Sequence, residues 1–352
     1  GGGELRKALF NYLQQKQLLL VMDSFEHLLA EANMVTDLLQ YAPQVKILSS
    51  SRESLNLTGE VVYMLSGLDY PADPGLPGEE VVQFGAAQLL LDRARLARPG
   101  LEVGELEWGQ IARICRQVQG MPLALVLAAG WLELLTFEEV AGEIAGSLDI
   151  LESQARDMPP RQRSVRAAFE YSWQRLAAGD QQAFSRLAVF RGGFSRLAAQ
   201  QVAGADLRTL RILAKKSFIT TVGPDRYDVH ELLRQFAAEK LETGGQAGPI
   251  RDAYSDYYLE AVASREKDIK GRRQPEGLQE IESDLDNVRA AWNWALERGR
   301  WPALDRAQES LALFLFIRSR YQEGTVLFQQ ALDSVTSGQE GEEDYRRIWG
   351  RR

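Results

Sequence analysis

The stretch LLLVMDSFEHLL, residues Leu18–Leu29, joins five apolar residues to an acid, Asp23, and places a second acid, Glu26, three positions later. A short continuous apolar run is typical of a strand that is covered on both faces in a parallel sheet. The carboxylate that follows such a strand lies at the sheet edge where open α/β folds bind ligands. The stretch therefore predicts a buried strand with a candidate site at its carboxyl end.

The neighbouring residues extend this prediction into a partial parallel sheet over residues 1–70. An amphipathic helix is expected over Leu5–Gln14, and a second helix is expected after the first strand. The segments VKILSSSRE (Val45–Glu53) and GEVVYMLSGL (Gly59–Leu68) predict two further strands. Strands that alternate with helices indicate an open α/β sheet.

The rest of the chain predicts helical units, so the expected fold class is α/β plus all-α. PADPGLPG, residues 71–78, is rich in proline and glycine and predicts a linker. The expected units are a helical domain over residues 79–156, a winged-helix domain over residues 160–242 and a helical region over residues 250–352. The winged helix is inferred from its helices and from a hairpin with strands over Phe218–Val222 and Arg226–Val229.

The composition excludes several classes of site. The 352 residues contain one cysteine and two histidines, so an intramolecular disulfide and a cysteine-rich zinc site are excluded. The net charge is −8, yet residues 160–242 contain more Lys and Arg than Asp and Glu. This basic unit faces either a nucleic acid or acidic neighbouring domains, and both interpretations stay open. No signal peptide or transmembrane run is evident, which indicates a cytoplasmic protein without a membrane partner.

The residues that end the two first strands are the strongest candidates for chemistry. Asp23 could bind Mg²⁺ beside a nucleotide phosphate, or it could cap the following helix. Arg52 follows the second strand and could contact a phosphate, or it could be a surface arginine that pairs with Glu53. Pro122, in GMPLALVLAAGWL (Gly120–Leu132), suits the first turn of a helix, where its missing N–H costs nothing.

Four segments in order resemble the signal-transducing STAND ATPases, in particular the bacterial NB-ARC-type branch with tetratricopeptide repeats. The resemblance covers residues 4 to about 335, and these segments carry it: LLLVMDSFEHLL, ILSSSRESL, QGMPLALVLAAG and RYDVHELLRQFAAEKL. It implies an NTPase core, a helical domain, a winged helix and tetratricopeptide-like repeats.

The resemblance also implies a role for each candidate residue. Asp23 corresponds to the Walker B acid that binds Mg²⁺, and Glu26 to an acid that helps to position water. Arg52 resembles the sensor arginine that approaches the γ-phosphate, and Pro122 resembles the proline beside adenine. His230 lies where the family places a histidine on the β-phosphate of ADP, although Val229 and Glu231 depart from the family's Met-His-Asp pattern. By spacing alone, a lone histidine such as His230 is more often structural than a ligand contact.

One motif of the family is missing from the sequence. A nucleoside triphosphate requires a glycine-rich cradle with lysine, G-x-x-x-x-G-K-[ST], and no segment of the 352 residues matches it. In the family this cradle precedes the strand before Asp23, so the chain is expected to be a fragment. We expect the chain alone to bind ADP or ATP with Mg²⁺ weakly or not at all, and its parent to be a slow ATPase.

Three functional readings follow from these residues. The first is a nucleotide-dependent switch that ADP holds closed and that ATP, with a protein or small-molecule ligand on the C-terminal helices, releases into a homo-oligomer. The second is a DNA-binding regulator whose recognition helix lies within Leu207–Lys216. Against it, that helix reads as core-facing and offers few side chains suited to base edges. The third is a non-catalytic helical-repeat scaffold.

Overall fold

A computed structural model describes residues 2–153 and 163–336 of the chain. Its N-terminal unit begins with helix α1 (Gly2–Leu13), strand β1 (Leu18–Met22), helix α2 (Asn33–Tyr41) and strand β2 (Val45–Ser49). The two strands pair in parallel, with Leu18 opposite Val45 and Met22 opposite Ser49. The first two predicted strands are therefore confirmed. The predicted helix after β1 begins later than expected, because two short 3₁₀ turns, Phe25–His27 and Leu29–Glu31, come before it.

The two-stranded sheet is covered on one face only. The apolar runs in the sequence had predicted that both faces of the sheet would be covered. Alternate side chains face α1 and α2, where Phe10, Leu38 and Val45 are buried. The opposite face leaves Leu19 58% exposed and Val21 63% exposed. The described helices of this unit pack on one face, so the outward side chains of β1 and β2 have no apolar layer against them.

The prediction of a third strand over Gly59–Leu68 is wrong. Val61, Tyr63 and Leu65 are exposed, and the segment forms no ladder within the described residues. Apolar and β-branched composition favours a strand only where a neighbouring strand accepts its backbone hydrogen bonds. At its end, the segment instead joins the helical unit, since Leu68 N donates to Gly120 O over 2.9 Å.

The segment after the linker is helical, as predicted. Its helices are α3 (Gly78–Val81), α4 (Gly85–Ala97), α5 (Glu105–Gln117), α6 (Pro122–Trp131) and α7 (Phe137–Gly146). A 3₁₀ turn over Leu148–Ile150 follows. Helix α6 begins at Pro122, the position that the sequence predicted for this proline.

The next segment contains helices and a small antiparallel sheet, in agreement with the predicted hairpin. Its elements are α8 (Val165–Trp173), α9 (Ala178–Leu187), β3 (Phe194–Ser195), α10 (Arg196–Ala198), α11 (Leu207–Lys215), β4 (Thr220–Gly223), β5 (Arg226–Asp228) and α12 (Glu231–Thr243). A π-helical turn, Ala199–Ala203, follows α10. The strand order is β3-β5-β4, and both pairings are antiparallel. We call residues 163–243 the winged-helix segment after the prediction for residues 160–242, which stays a prediction as a domain assignment.

The C-terminal part is helical. Its helices are α13 (Ala247–Ser264), α14 (Glu266–Ile269), α15 (Gln274–Ser283), α16 (Leu285–Glu297), α17 (Trp301–Ile317) and α18 (Tyr321–Thr336). One continuous apolar core joins the residues from Val81 to Ala331. Among residues 2–153 and 163–336, no helix combines the length and the apolar character needed to cross a bilayer.

Some sequence predictions fall outside the described residues. The boundary between the predicted units 79–156 and 160–242 lies within residues 154–162. The end of the region 250–352 lies beyond residue 336. The ranges of the four predicted units stay predictions.

Candidate functional site

The carboxyl ends of β1 and β2 form a hydrogen-bonded edge around Asp23. Ser50 Oγ donates to Asp23 Oδ1, and Ser24 N donates to Ser50 Oγ over 2.9 Å. Ser50 N donates to Met22 O over 3.0 Å, and Phe25 N donates to Ser50 O over 2.9 Å. Ser24 has a left-handed backbone with φ 56°, which turns the chain sharply after the acid. Asp23 itself remains exposed at this edge and makes no helix cap.

Glu26 lies behind this edge and is buried, with 4% of its surface exposed. Its Oε1 lies 3.9 Å from Nε of Arg52, an ion pair that compensates part of the cost of burying the carboxylate. Ser49 Oγ, at the end of β2, is buried without a hydrogen-bond partner in the part of the chain that is described. An unpaired buried hydroxyl is uncommon, and this one lies at the candidate site.

Arg52 connects the sheet edge to helix α8 of the winged-helix segment. Its Nη1 donates to Ala168 O over 2.9 Å and to Ser172 Oγ over 3.4 Å. Its guanidinium carbon lies 5.8 Å from the ring centre of Tyr171. The arginine that the sequence assigned to a phosphate therefore holds two parts of the chain together in this conformation.

Glu53 forms a second bridge to the winged-helix segment. The sequence had indicated Glu53 only as a possible partner of Arg52, and this contact between the two units was not predicted. Its carboxylate lies 2.6 Å from Lys216 Nζ and 3.4 Å from Arg175 Nε. Arg175 Nη2 also donates to Glu26 O over 3.1 Å. The only available signal was the position of Glu53 directly after Arg52, because the partners lie more than a hundred residues away.

Helix α8 also contacts the 3₁₀ turn that follows Asp23. Tyr171 Oη lies 3.0 Å from His27 Nδ1, and Arg175 Nη1 donates to the same Tyr171 oxygen over 3.0 Å. Tyr171 is therefore shared between the two units. Its place in the sequence offers no pattern that would have indicated this role.

Pro122 and His230 belong to a second junction, between the helical segment and the start of α12. Gln119 Oε1 accepts a hydrogen bond from Glu231 N over 3.1 Å, so the turn before Pro122 caps the helix that follows His230. Gly120 requires its glycine, since its φ is +67° and a Cβ there would lie 1.9 Å from Leu68 O. Pro122 itself is exposed beside this turn.

His230 acts as the cap of helix α12. Its Nδ1 accepts a hydrogen bond from Leu232 N over 3.2 Å, which requires a neutral ring nitrogen. Burial lowers the pKa of His230 to about 4, while the negative charge of Glu231 and a hydrogen bond with the Val118 backbone act in the opposite direction. The imidazole is therefore neutral at pH 7.

A cavity of about 100 Å³ lies next to the second junction, and Gln119 and Glu231 are among its lining residues. Arg191 and Arg234 also line it, and Arg234 pairs with Glu231. His230 and Pro122 do not line this cavity. It is smaller than the pockets that usually enclose a nucleotide.

The structure thus groups the five predicted residues in two places. Asp23, Glu26 and Arg52 share the sheet edge that faces α8, whereas Pro122 and His230 lie at the junction of α6 and α12. The described residues include no group of three or more His, Cys, Asp and Glu side chains that could hold a metal ion by themselves. Asp23 could bind Mg²⁺ only together with phosphate oxygens and water, which is a usual arrangement for that ion.

The chain is similar to mycobacterial proteins. A protein of Mycobacterium bovis, provisionally named an HTH-type transcriptional regulator, is 29% identical over 343 residues, which are 94% of this chain and 37% of that protein. An uncharacterised protein of Mycobacterium tuberculosis is 28% identical over 258 residues, 70% of this chain and 63% of that protein. The chain thus spans little more than a third of the first relative's length. No protein-family model matches the chain.

The chain is also similar to a solved structure. That structure is a Signal Transduction ATPase with Numerous Domains that has a tetratricopeptide repeat sensor, from Pyrococcus horikoshii. The match covers 98% of this chain and 52% of that one, with 16% identity and a TM-score of 0.27. A score this low does not establish a shared arrangement of the domains.

Proposed function

We propose that this chain is part of a nucleotide-dependent signalling switch. In this proposal the sheet edge around Asp23 binds the phosphates of ADP or ATP, and the winged-helix segment closes over that edge. One observation carries the proposal: the guanidinium of Arg52, the arginine at the candidate phosphate edge, donates to Ala168 O and Ser172 Oγ of α8. Closure and phosphate contact would then compete for the same side chain.

The residues at the edge fit the phosphate and magnesium end of a nucleotide. Asp23 offers an exposed carboxylate, and Ser49 offers a buried hydroxyl with no hydrogen-bond partner among the described residues. Arg52 lies 3.9 Å from Glu26 behind the same edge. Bound Mg²⁺ would supply positive charge that screens the phosphates. The 352 residues contain no glycine-lysine cradle, so the proposal concerns only the phosphate and magnesium contacts that these residues can make.

The second junction supports the proposal at a different point of the molecule. His230 is neutral and caps α12, and Gln119 ties the turn of Gly120 and Pro122 to the same helix end. A ligand that contacts this turn and His230 together would hold the helical and winged-helix segments in one arrangement. Such a ligand acts as a clamp only if it makes different contacts in the closed and open states.

The proposal includes partners that act on the closed arrangement. Helices α13 to α18 share one core with the winged-helix segment, so a protein or small molecule on these helices could bias closure. Release of the winged-helix segment would uncover the sheet edge. The face of β1 and β2 that is already exposed in the closed arrangement would then be available beside this edge for homo-oligomer contacts.

Calorimetric titration of Mg-ADP into the full-length protein tests this function. We expect Asp23→Asn and His230→Asn each to weaken ADP binding by about tenfold, the loss typical of one charge-assisted or buried contact. Glu31→Gln, an exposed acid of the same unit, is the matched control and should bind like the unmodified protein. ADP affinity that is the same in all four proteins, or no ADP binding at all, would contradict the proposal.

A second candidate function is nucleic-acid binding by the winged-helix segment. Two observations favour it: helix α11 carries Arg208, Arg211 and Lys215 without an acid, and the M. bovis relative is named as an HTH-type regulator. We expect a fluorescent DNA duplex to bind at low salt and to dissociate as salt rises, because phosphate contacts release counterions. Absence of binding at low salt would remove this candidate.

A further inference from the structure

Helix α11 presents a basic stripe. Arg208, Arg211 and Lys215 are spaced three and four residues apart, so they lie on one face of the helix. Leu210 and Leu213 on the other face are buried in the core. Arg208 and Arg211 are exposed, so this half of the stripe is open to solvent.

The carboxyl end of the stripe is covered by residues 52–56 of the N-terminal unit. Lys215 Nζ donates to Asn56 Oδ1, and Lys216 Nζ lies 2.6 Å from Glu53 Oε2. Ser217 Oγ donates to Arg52 O over 3.3 Å. The Glu53 side chain, only 18% exposed, also faces Arg175 at 3.4 Å. We call residues 52–56 the covering segment.

We propose that the covering segment masks part of a surface on α11 that binds the phosphate backbone of a nucleic-acid duplex. The inference rests on the second candidate function, nucleic-acid binding by the winged-helix segment, and describes how that binding is regulated. The Glu53 carboxylate and the Asn56 amide oxygen take the hydrogen bonds that Lys216 and Lys215 would otherwise give to phosphate oxygens. Closure of the two units and binding of a duplex along the whole stripe are then mutually exclusive.

The chemistry of the masked surface favours a polyanion over other partners. Lys215 binds the Asn56 amide oxygen, and Lys216 and Arg175 bind the Glu53 carboxylate. When the covering segment moves away, these three cations are left close together without those partners. Lys215 continues the row of Arg208 and Arg211 along α11, Lys216 is the residue that ends this helix, and Arg175 follows the end of α8. A row of positive charges at regular spacing matches the regular spacing of duplex phosphates. The cover is also releasable, since partly exposed ion pairs contribute little stability and are screened by salt.

The test compares duplex binding by the full-length protein and by its Glu53→Gln, Asn56→Ala double variant. Fluorescence anisotropy with a duplex of about 20 base pairs is measured over a series of salt concentrations. Two lysines freed for phosphate contact should make the slope of log affinity against log salt steeper by about 2. The double variant should therefore bind about tenfold more tightly at low salt than the unmodified protein.

Four control measurements keep the outcomes distinct. Glu31→Gln changes an exposed acid of the same unit and should leave duplex affinity unchanged. Arg208→Gln and Arg211→Gln should each reduce the salt slope by about 1. Hydrogen exchange of residues 52–56 reports whether the double variant has opened.

Each outcome decides a different claim. If the covering segment of the double variant opens but the duplex affinity and its salt slope do not change, the masking is overturned. The masking is also overturned if the covering segment of the double variant stays closed. If neither protein binds the duplex at low salt, the second candidate function and this inference both fall, while the nucleotide-switch proposal is unaffected. Tighter binding by Glu31→Gln as well would show a general charge effect and would also overturn the masking.

Discussion

Asp23 and His230 illustrate how a single residue is fixed by its immediate neighbours. Asp23 is oriented by Ser50, which reaches it from the end of the adjacent strand. His230 is held by the backbone of the helix that it caps. Both side chains therefore have a structural partner already, and a nucleotide would have to share or replace these hydrogen bonds.

The stability of the protein should depend on pH through His230. Its pKa is about 4 in the folded chain and near 6.5 in the unfolded chain, so the unfolded state binds more protons between these values. Unfolding free energy should fall as pH decreases from 6.5 towards 4, by about 2 to 3 kcal/mol. Urea unfolding at pH 7 and pH 4.5 measures this.

The control for this pH effect is His230→Asn, which can still cap the helix but does not titrate in this range. The variant should lose a large part of the decrease between the two pH values. An equal decrease in both proteins would show that another group is responsible.

Gly120 should tolerate no side chain. In Gly120→Ala the new Cβ would collide with Leu68 O, and the backbone would be strained at φ +67°. We expect a loss of about 2 to 4 kcal/mol in unfolding free energy, measured by urea denaturation. Gly130→Ala is the matched control: it lies inside α6 with open space around it and should gain about 0.5 to 1 kcal/mol. Equal effects of the two changes would contradict the close approach of Leu68 to the turn.

At the scale of elements, the sequence predicted β1, β2, the start of α6 and the β4–β5 hairpin. Each has a local signal: a short apolar run, a proline at a helix start, or a turn between two segments in which polar and apolar residues alternate. The segment Gly59–Leu68 carries the same apolar signal, but a strand also needs a partner, and a partner is not a local property. The contacts of Arg52 and Glu53 with α8 and α11 could not be predicted for the same reason.

Helix α16 and the turn between α9 and β3 should be coupled through Asn287. Its side chain, 1% exposed, accepts from Arg191 N over 2.8 Å and donates to Gly193 O over 3.0 Å. Asn287→Ala removes this acceptor from the part-buried hydrogen bond of Arg191 N, at a cost of about 1 to 2 kcal/mol. We also expect faster hydrogen exchange at the Arg191 amide, which mass spectrometry can follow.

The matched control for this coupling is Asn33→Ala, an exposed asparagine at the start of α2. It should change the unfolding free energy by less than about 0.5 kcal/mol. Unchanged exchange at Arg191 in the Asn287 variant would contradict the proposed joint between the C-terminal helices and the winged-helix segment.

At the scale of the whole molecule, the two units differ in how they are held. Residues from Val81 to Ala331 share one apolar core, whereas the N-terminal unit has its own small clusters. Among the contacts described above, its link to the winged-helix segment is polar and runs through Arg52, Glu53 and Tyr171. Polar contacts can be exchanged for water or phosphate at low cost, whereas a shared core cannot be opened without exposing apolar surface. The N-terminal unit is therefore the part of the described chain that we expect to move.

The most direct test of this account measures the distance between the two units in the full-length protein. Spin labels are attached to the double variant Gln40→Cys, Thr221→Cys. Gln40 in α2 and Thr221 in β4 are both exposed positions. Cys115 is fully buried and its pKa is raised to about 12 by burial, so it should stay unlabelled. With Mg-ADP we predict one narrow distance distribution, and with a non-hydrolysable ATP analogue a longer and broader one. Identical distributions with both nucleotides would contradict a nucleotide-dependent switch.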